Sequence, residues 1–194
     1  SHIKNCKEEI LVLIKKLEKN KLLFETSKVA VIGKPNTGKS SLINFLTEED
    51  VSIVNKQAGT TRDVVSKIFS LDGFPVTIFD TAGIRETSDT IEKEGKEKAL
   101  KQATSANIIL YLYDVTIGID NDDIKILKSL KKINKNILII ANKIDLATKE
   151  TFSEIKKNNS ENLIISIKEN INMNELRSEI LEYLKDRKST RLNS

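Results

Sequence analysis

A chain of 194 residues, 39% hydrophobic and 31% charged, is long enough for one well-buried domain and too short for two of ordinary size. No apolar run approaches the roughly 18 residues of a membrane span, no secretory signal is expected, and a lone Cys6 excludes an internal disulfide within these residues and fits a reducing, cytoplasmic compartment. The net charge of +4 comes mainly from scattered Lys and reads as a solvated surface; without Trp, an aromatic platform for single-stranded RNA is not expected.

From residue 3 to about 22, Ile3, Cys6, Ile10, Leu13 and Leu17 recur at three- and four-residue spacing, one apolar helical stripe. KVAVIG at 28 to 33 is a short buried-type strand running into a Gly-containing turn, and KSSLINFL after it is helical. A polar segment, 48 to 63, leads to VVSKIFS and PVTIFD, two strands that the Asp72-Gly73 pair joins as a hairpin. Residues 91 to 105 read as a helix, NIILYLYD at 107 to 114 as a buried strand, 121 to 133 as a helix, and NILIIAN at 136 to 142 as another buried strand. ENLIIS at 161 to 166 is the last strand, and Met173, Leu176, Ile180 and Leu184 mark a closing helix. Strands of continuous hydrophobicity alternating with helices predict an α/β fold, a mostly parallel sheet covered on both faces.

The stretch GKPNTGKS, Gly33 to Ser40, satisfies G-x-x-x-x-G-K-[ST] between a strand and a helix. In such a loop backbone N–H groups and the helix N-terminus surround phosphate oxygens. Asn36, Thr37, Gly38 and Ser41 are therefore expected around a polyphosphate, with Lys39 on the β/γ-phosphates and Ser40 on Mg²⁺. A phosphate loop does not choose a base, but NKID, Asn142 to Asp145, follows a buried strand at the edge where open α/β sheets bind ligands. Asp145 can accept from both N1–H and the exocyclic amine of guanine, donors that adenine lacks, and a site built that way discriminates by roughly 10⁴-fold or more. Lys143 would cover the base with its alkyl stem, Asn142 would brace the neighbouring loops, and Ile144 completes the turn. SIK, Ser166 to Lys168, follows the last strand, where the Ile167 N–H is expected at the guanine O6.

AGTTRD, residues 58 to 63, occupies the place of a first switch, with Thr61 the better candidate for a Mg²⁺-contacting threonine and Thr60 beside it. Asp80-Thr81-Ala82-Gly83 reads as the turn that senses a terminal phosphate: Asp80 would hold magnesium through water, and the Gly83 N–H would meet the γ-phosphate. Ile84 follows, where Ras-like enzymes carry a water-positioning Gln. An aliphatic side chain cannot orient water.

Together GKPNTGKSSLIN, AGTTRD, DTAGIRET and NKID resemble the translation-factor-related GTPases, and the continuation DTIEKEGKEKA is similar to the tRNA-modification GTPase MnmE (TrmE) family. The resemblance covers about residues 25 to 186, the expected G domain, with 1 to 24 a flanking helical segment and 187 to 194 a polar tail. It implies a P-loop GTPase fold, a mostly parallel six-stranded sheet with one antiparallel edge strand and helices on both faces. It also implies that Glu92 orients the attacking water indirectly, and that K⁺ replaces an arginine finger, with Asn36, Asn55, Gln57 and Thr60 resembling its ligands. Lys56, Ala58 and Gly59 would line the nucleotide within that loop, and Arg62 and Arg85 are the rival fingers.

The family further implies a homodimer through the G domains in the triphosphate state, the flavoprotein MnmG (GidA) as partner, and tRNA in the full-length complex. A folate derivative is expected only in the family's N-terminal domain, which this sequence does not include. The leading expectation is Mg²⁺-dependent, K⁺-stimulated GTP hydrolysis within tRNA wobble-uridine modification. A nucleotide-dependent binding switch and an Era- or Der-like ribosome-assembly GTPase stay open beside it.

Overall fold

The structure, a computed structural model, describes residues 26–48, 66–80, 103–133, 136–158 and 162–192. The expected N-terminal helix, nearly all of the first-switch segment and residues 91 to 102 of the helix before NIILYLYD lie outside them.

Six strands form one sheet: β1 (Ser27–Ile32), β2 (Ser66–Leu71), β3 (Phe74–Asp80), β4 (Ile108–Asp114), β5 (Ile137–Asn142) and β6 (Leu163–Ile164), in the order β2-β3-β1-β4-β5-β6. Only the β2–β3 pairing is antiparallel, which makes β2 the antiparallel edge strand. That hairpin turns through Asp72 and Gly73, both at positive φ (48° and 84°), as a two-residue turn matching the strand twist requires. The last strand is shorter than the expected ENLIIS, two residues rather than six. Beyond it Ser166 bridges back to Ile171, and backbone groups that would extend a strand close a loop instead.

Alternation within the buried strands decides which helix lies on which face. From β1 and β4, Val29, Val31, Leu110 and Leu112 point to the face that packs Leu42, Ile43 and Leu46 of α1 (Lys39–Glu48). The same face receives Leu176, Ile180 and Leu184 of the closing helix, Met173–Leu192, which continues past residue 186. The opposite side groups Ala30, Ile109 and Tyr111 with Leu127 and Leu130 of α2 (Asn121–Ile133). All seven residues of β4 are buried, as a central strand covered twice must be.

A third helix, α3 (Lys149–Asn158), was not anticipated from the sequence. Its KETFSEIKKN carries few apolar residues, of which Ile155 is buried with Tyr113, Val115 and Ala141. The Thr148 hydroxyl accepts from the Thr151 N–H at 3.2 Å, an N-cap that was the available signal. With α3 placed, the closing helix is α4.

Truncating Leu110, fully buried mid-sheet, should cost about 2–5 kcal/mol. Ile68→Ala on the exposed edge strand should stay within about 0.5 kcal/mol. Urea unfolding of both variants checks this, and equal midpoints would contradict the core assignment.

Candidate functional site

Every expected site residue within the described segments lies at the carboxyl ends of the strands. Adjacent β1 and β4 send their following helices, α1 and α2, to opposite faces, and the crevice between such strands is where open α/β sheets bind ligands. The phosphate loop crosses that crevice. Ile32 stands opposite Tyr111, so the next residue, Gly33, falls against Leu112; a Cβ on Gly33 would lie 2.1 Å from the Leu112 carbonyl oxygen. No side chain fits there.

The loop is held from within by its own carbonyls. The Lys34 carbonyl accepts from the Thr37 hydroxyl at 2.9 Å and from the Lys39 ammonium at 2.5 Å. Lys39 is buried, whereas Asn36, Ser40 and Ser41 are exposed at the loop and the first turn of α1. Asn36 adopts positive φ (62°), which Asn tolerates better than most residues, and Gly38 has φ 102°. A Cβ on Gly38 would come within 2.4 Å of the Asn142 Nδ2.

Asn142 joins the phosphate loop to the loops beyond β5 and β6. Its side chain, 3% exposed, donates from Nδ2 to the Thr37 carbonyl at 2.9 Å, and its Oδ1 accepts from the Ile167 N–H at 3.3 Å. Thus the N–H that the sequence reading reserved for guanine O6 already has a long bond to Asn142. Asp145, in a single 3₁₀ turn (Ile144–Leu146), accepts from the Ser166 hydroxyl at 2.5 Å. Its second carboxylate oxygen has no partner among the described residues. The Ser166 Oγ in turn accepts from the Glu169 N–H at 3.1 Å, and Asn170 and Asn172, both at positive φ, turn the chain so that Ser166 and Ile171 exchange backbone bonds. Lys168 is exposed on this loop.

Lys143 sits in the left-handed region (φ 69°), and its ammonium meets Asp114 Oδ2 at 2.6 Å. Burial alone would raise the Asp114 pKa, but the hydrogen bonds from Lys143 and from the Thr116 hydroxyl and N–H outweigh it, and the carboxyl sits below its usual range. Asp114 has no expected role in the motifs above, although an Asp ending a buried strand two residues before Thr116 is a turn-forming signal. Lys34 was missed as well. Its ammonium bridges Asp120 and Asp123 at the start of α2, where Asp120 Oδ1 accepts from the N–H groups of Asp122 and Asp123 while Asp123 Oδ2 accepts from that of Asp120. That reciprocal capping was legible as Asp-x-x-Asp ahead of a helix.

Asp80 ends β3 opposite Val31, one strand from the phosphate loop. Thr81, Ala82, Gly83 and Glu92 of the second switch, and Asn55, Lys56, Gln57, Ala58, Gly59, Thr60 and Thr61 of the first, lie outside the described residues. Among the described residues, no helix is long and apolar enough to cross a membrane.

The family described as "50S ribosome-binding GTPase" matches residues 28–143, more than half of the chain. The tRNA modification GTPase MnmE of Desulforamulus reducens is 40% identical over 190 residues, which cover 96% of this chain and 41% of that protein. MnmE of Carboxydothermus hydrogenoformans is 46% identical over 147 residues, 74% of this chain and 32% of that protein. The chain thus spans less than half the length of these curated relatives. Among solved structures, Aquifex aeolicus Era bound to GDP·AlF4⁻ aligns with TM-score 0.63 and 32% identity, over 82% of this chain and 57% of that one. With a phosphate loop strapped to an NKID turn at one sheet edge and these matches, the chain belongs to the GTPase family so described, as a G domain of the MnmE type.

Proposed function

We propose that this G domain hydrolyses GTP as the motor of a tRNA wobble-uridine modification system, with K⁺ in the role an arginine finger plays elsewhere. The observation that supports the nucleotide part of this reading is the Asn142 strap, because it ties a phosphate-binding loop to a base-reading loop at one sheet edge. Identities of 40% and 46% to MnmE relatives, against 32% to Era, favour this reading over a ribosome-assembly GTPase.

On this reading the nucleotide lies along the carboxyl edge. Backbone N–H groups of residues 36 to 41 and the α1 N-terminus hold the phosphates, and Lys39 keeps its bond to the Lys34 carbonyl while its ammonium, which has three donors, also meets the β/γ oxygens. Asp145 accepts the guanine N1–H and amine; Ser166 holds one of its oxygens and so sets the plane in which it meets the base. The long 3.3 Å bond of the Ile167 N–H is weak enough to be shared with O6. Lys143, anchored at its tip by Asp114, presents its alkyl stem to the base.

Ser40 is exposed at the head of α1, and its hydroxyl suits a hard cation; with Thr61, and with Asp80 through water, it would hold Mg²⁺. Asn36 is exposed with a side-chain carbonyl that suits K⁺; Asn55, Gln57 and Thr60 would complete that set. When bound, these cations would supply positive charge to offset the negative charge that develops on the phosphates during reaction. Water then attacks the γ-phosphate in line, placed indirectly by Glu92. Two copies of this domain would meet across their switches in the triphosphate state, in the cytoplasm, with the flavoprotein MnmG and tRNA as partners of the whole protein.

Asp145→Asn should weaken GTP binding by about 100-fold or more while improving xanthosine triphosphate binding, because the base edge is then complementary to the wrong donor pattern. Titration with both nucleotides decides it, and an unchanged GTP preference refutes the role. Turnover should also be at least about ten-fold faster in KCl than in NaCl, a small part of the roughly 10³–10⁵ that an arginine finger provides. Equal rates in the two salts would end the potassium assignment.

A further inference from the structure

The Lys34 carbonyl is an acceptor shared by Thr37 and Lys39, so its position is one of the constraints on where the Lys39 ammonium points. Within the loop, Lys34 lies between Gly33, pressed on β4, and Pro35, whose backbone carries no N–H to donate. Its own side chain provides the anchor. The ammonium meets Asp120 and lies 2.9 Å from Asp123. Asp123 is 2% exposed, and its other oxygen accepts from the Tyr111 hydroxyl at 2.6 Å. Burial first, and the neighbouring Asp123 next, raise the pKa of the Tyr111 phenol, so that the proton stays on tyrosine and the donor is kept. The chain of contacts therefore runs from β4 (Tyr111) through the start of α2 (Asp123) to the phosphate loop (Lys34) and on to Lys39.

Resting on the GTPase reading, we propose that Lys34 is a positioning residue for hydrolysis: its ion pairs with Asp120 and Asp123 lock the carbonyl that orients Lys39. In bound GDP the loop N–H groups share the β-phosphate with Lys39 and do not depend on its exact aim, whereas during reaction Lys39 must follow charge that builds at the β/γ bridge. A loosened Lys34 carbonyl consequently lowers turnover more than it lowers GDP affinity. Arginine, with a fork of donors and a permanent charge, reaches both carboxylates and preserves the lock.

The test compares Lys34→Met, Lys34→Arg and the double variant Lys34→Met with Asp123→Asn. The double variant strands no buried carboxylate and so guards against loss of the fold. Expected are a roughly ten-fold fall in kcat for Lys34→Met and for the double variant, GDP affinity within about three-fold of wild type, and Lys34→Arg within two-fold in both. Lys125→Met, which breaks the exposed Lys125–Asp122 pair on the same helix, should leave kcat unchanged. A double variant with kcat within two-fold of wild type, while Lys39→Ala abolishes hydrolysis, overturns the positioning role alone. A wild-type protein that does not hydrolyse GTP, or a Lys39→Ala variant as fast as wild type, overturns the GTPase reading and the proposal with it.

Discussion

The site depends on one buried carboxamide. Asn142 ends β5 and spends its donor on the Thr37 carbonyl and its acceptor on the Ile167 N–H, so two loops more than a hundred residues apart in sequence share one side chain. A buried amide stripped of partners costs about 1–3 kcal/mol, so both loops are drawn to it. It also explains a glycine. Gly38 is required by its positive φ and by Asn142 itself, whose Nδ2 occupies the space a Cβ would take.

The remaining contacts extend the same logic outward. Asp114 and Asn142 stand side by side in register at the ends of β4 and β5, and each fixes a different part of the edge: the Lys143 ammonium in one case, the phosphate loop in the other. Parallel strands make this arrangement economical in chain length, because each delivers its polar terminal residue to the same side. The apolar interiors of β1, β4 and β5 hold those ends at fixed spacing, which is how core packing becomes site geometry.

Much of this was legible because continuous apolar strands followed by polar turns leave little choice. IILYLYD and ILIIAN announce central strands, and the phosphate-loop and NKID patterns announce their loops. Helix α3 escaped because Phe152 and Ile155, the two apolar side chains among its ten residues, keep helical spacing but are too few to stand out in a polar stretch, and burial of Ile155 against Tyr113 and Ala141 holds it in place. Lys34 and Asp114 escaped for another reason. Surface-type charges look alike in sequence, and only the juxtaposition of β4, α2 and the phosphate loop turns Lys34 from a solvated lysine into a bridge to a buried aspartate.

Hydrogen–deuterium exchange on Asn142→Ala without nucleotide probes the strap most directly. Loss of one buried amide should speed exchange roughly ten-fold in the phosphate loop and in the loop from Ser166 to Ile171 together, while the centre of β4 keeps its protection. Acceleration in one loop without the other, or in neither, would contradict the view that a single side chain organises both halves of the site.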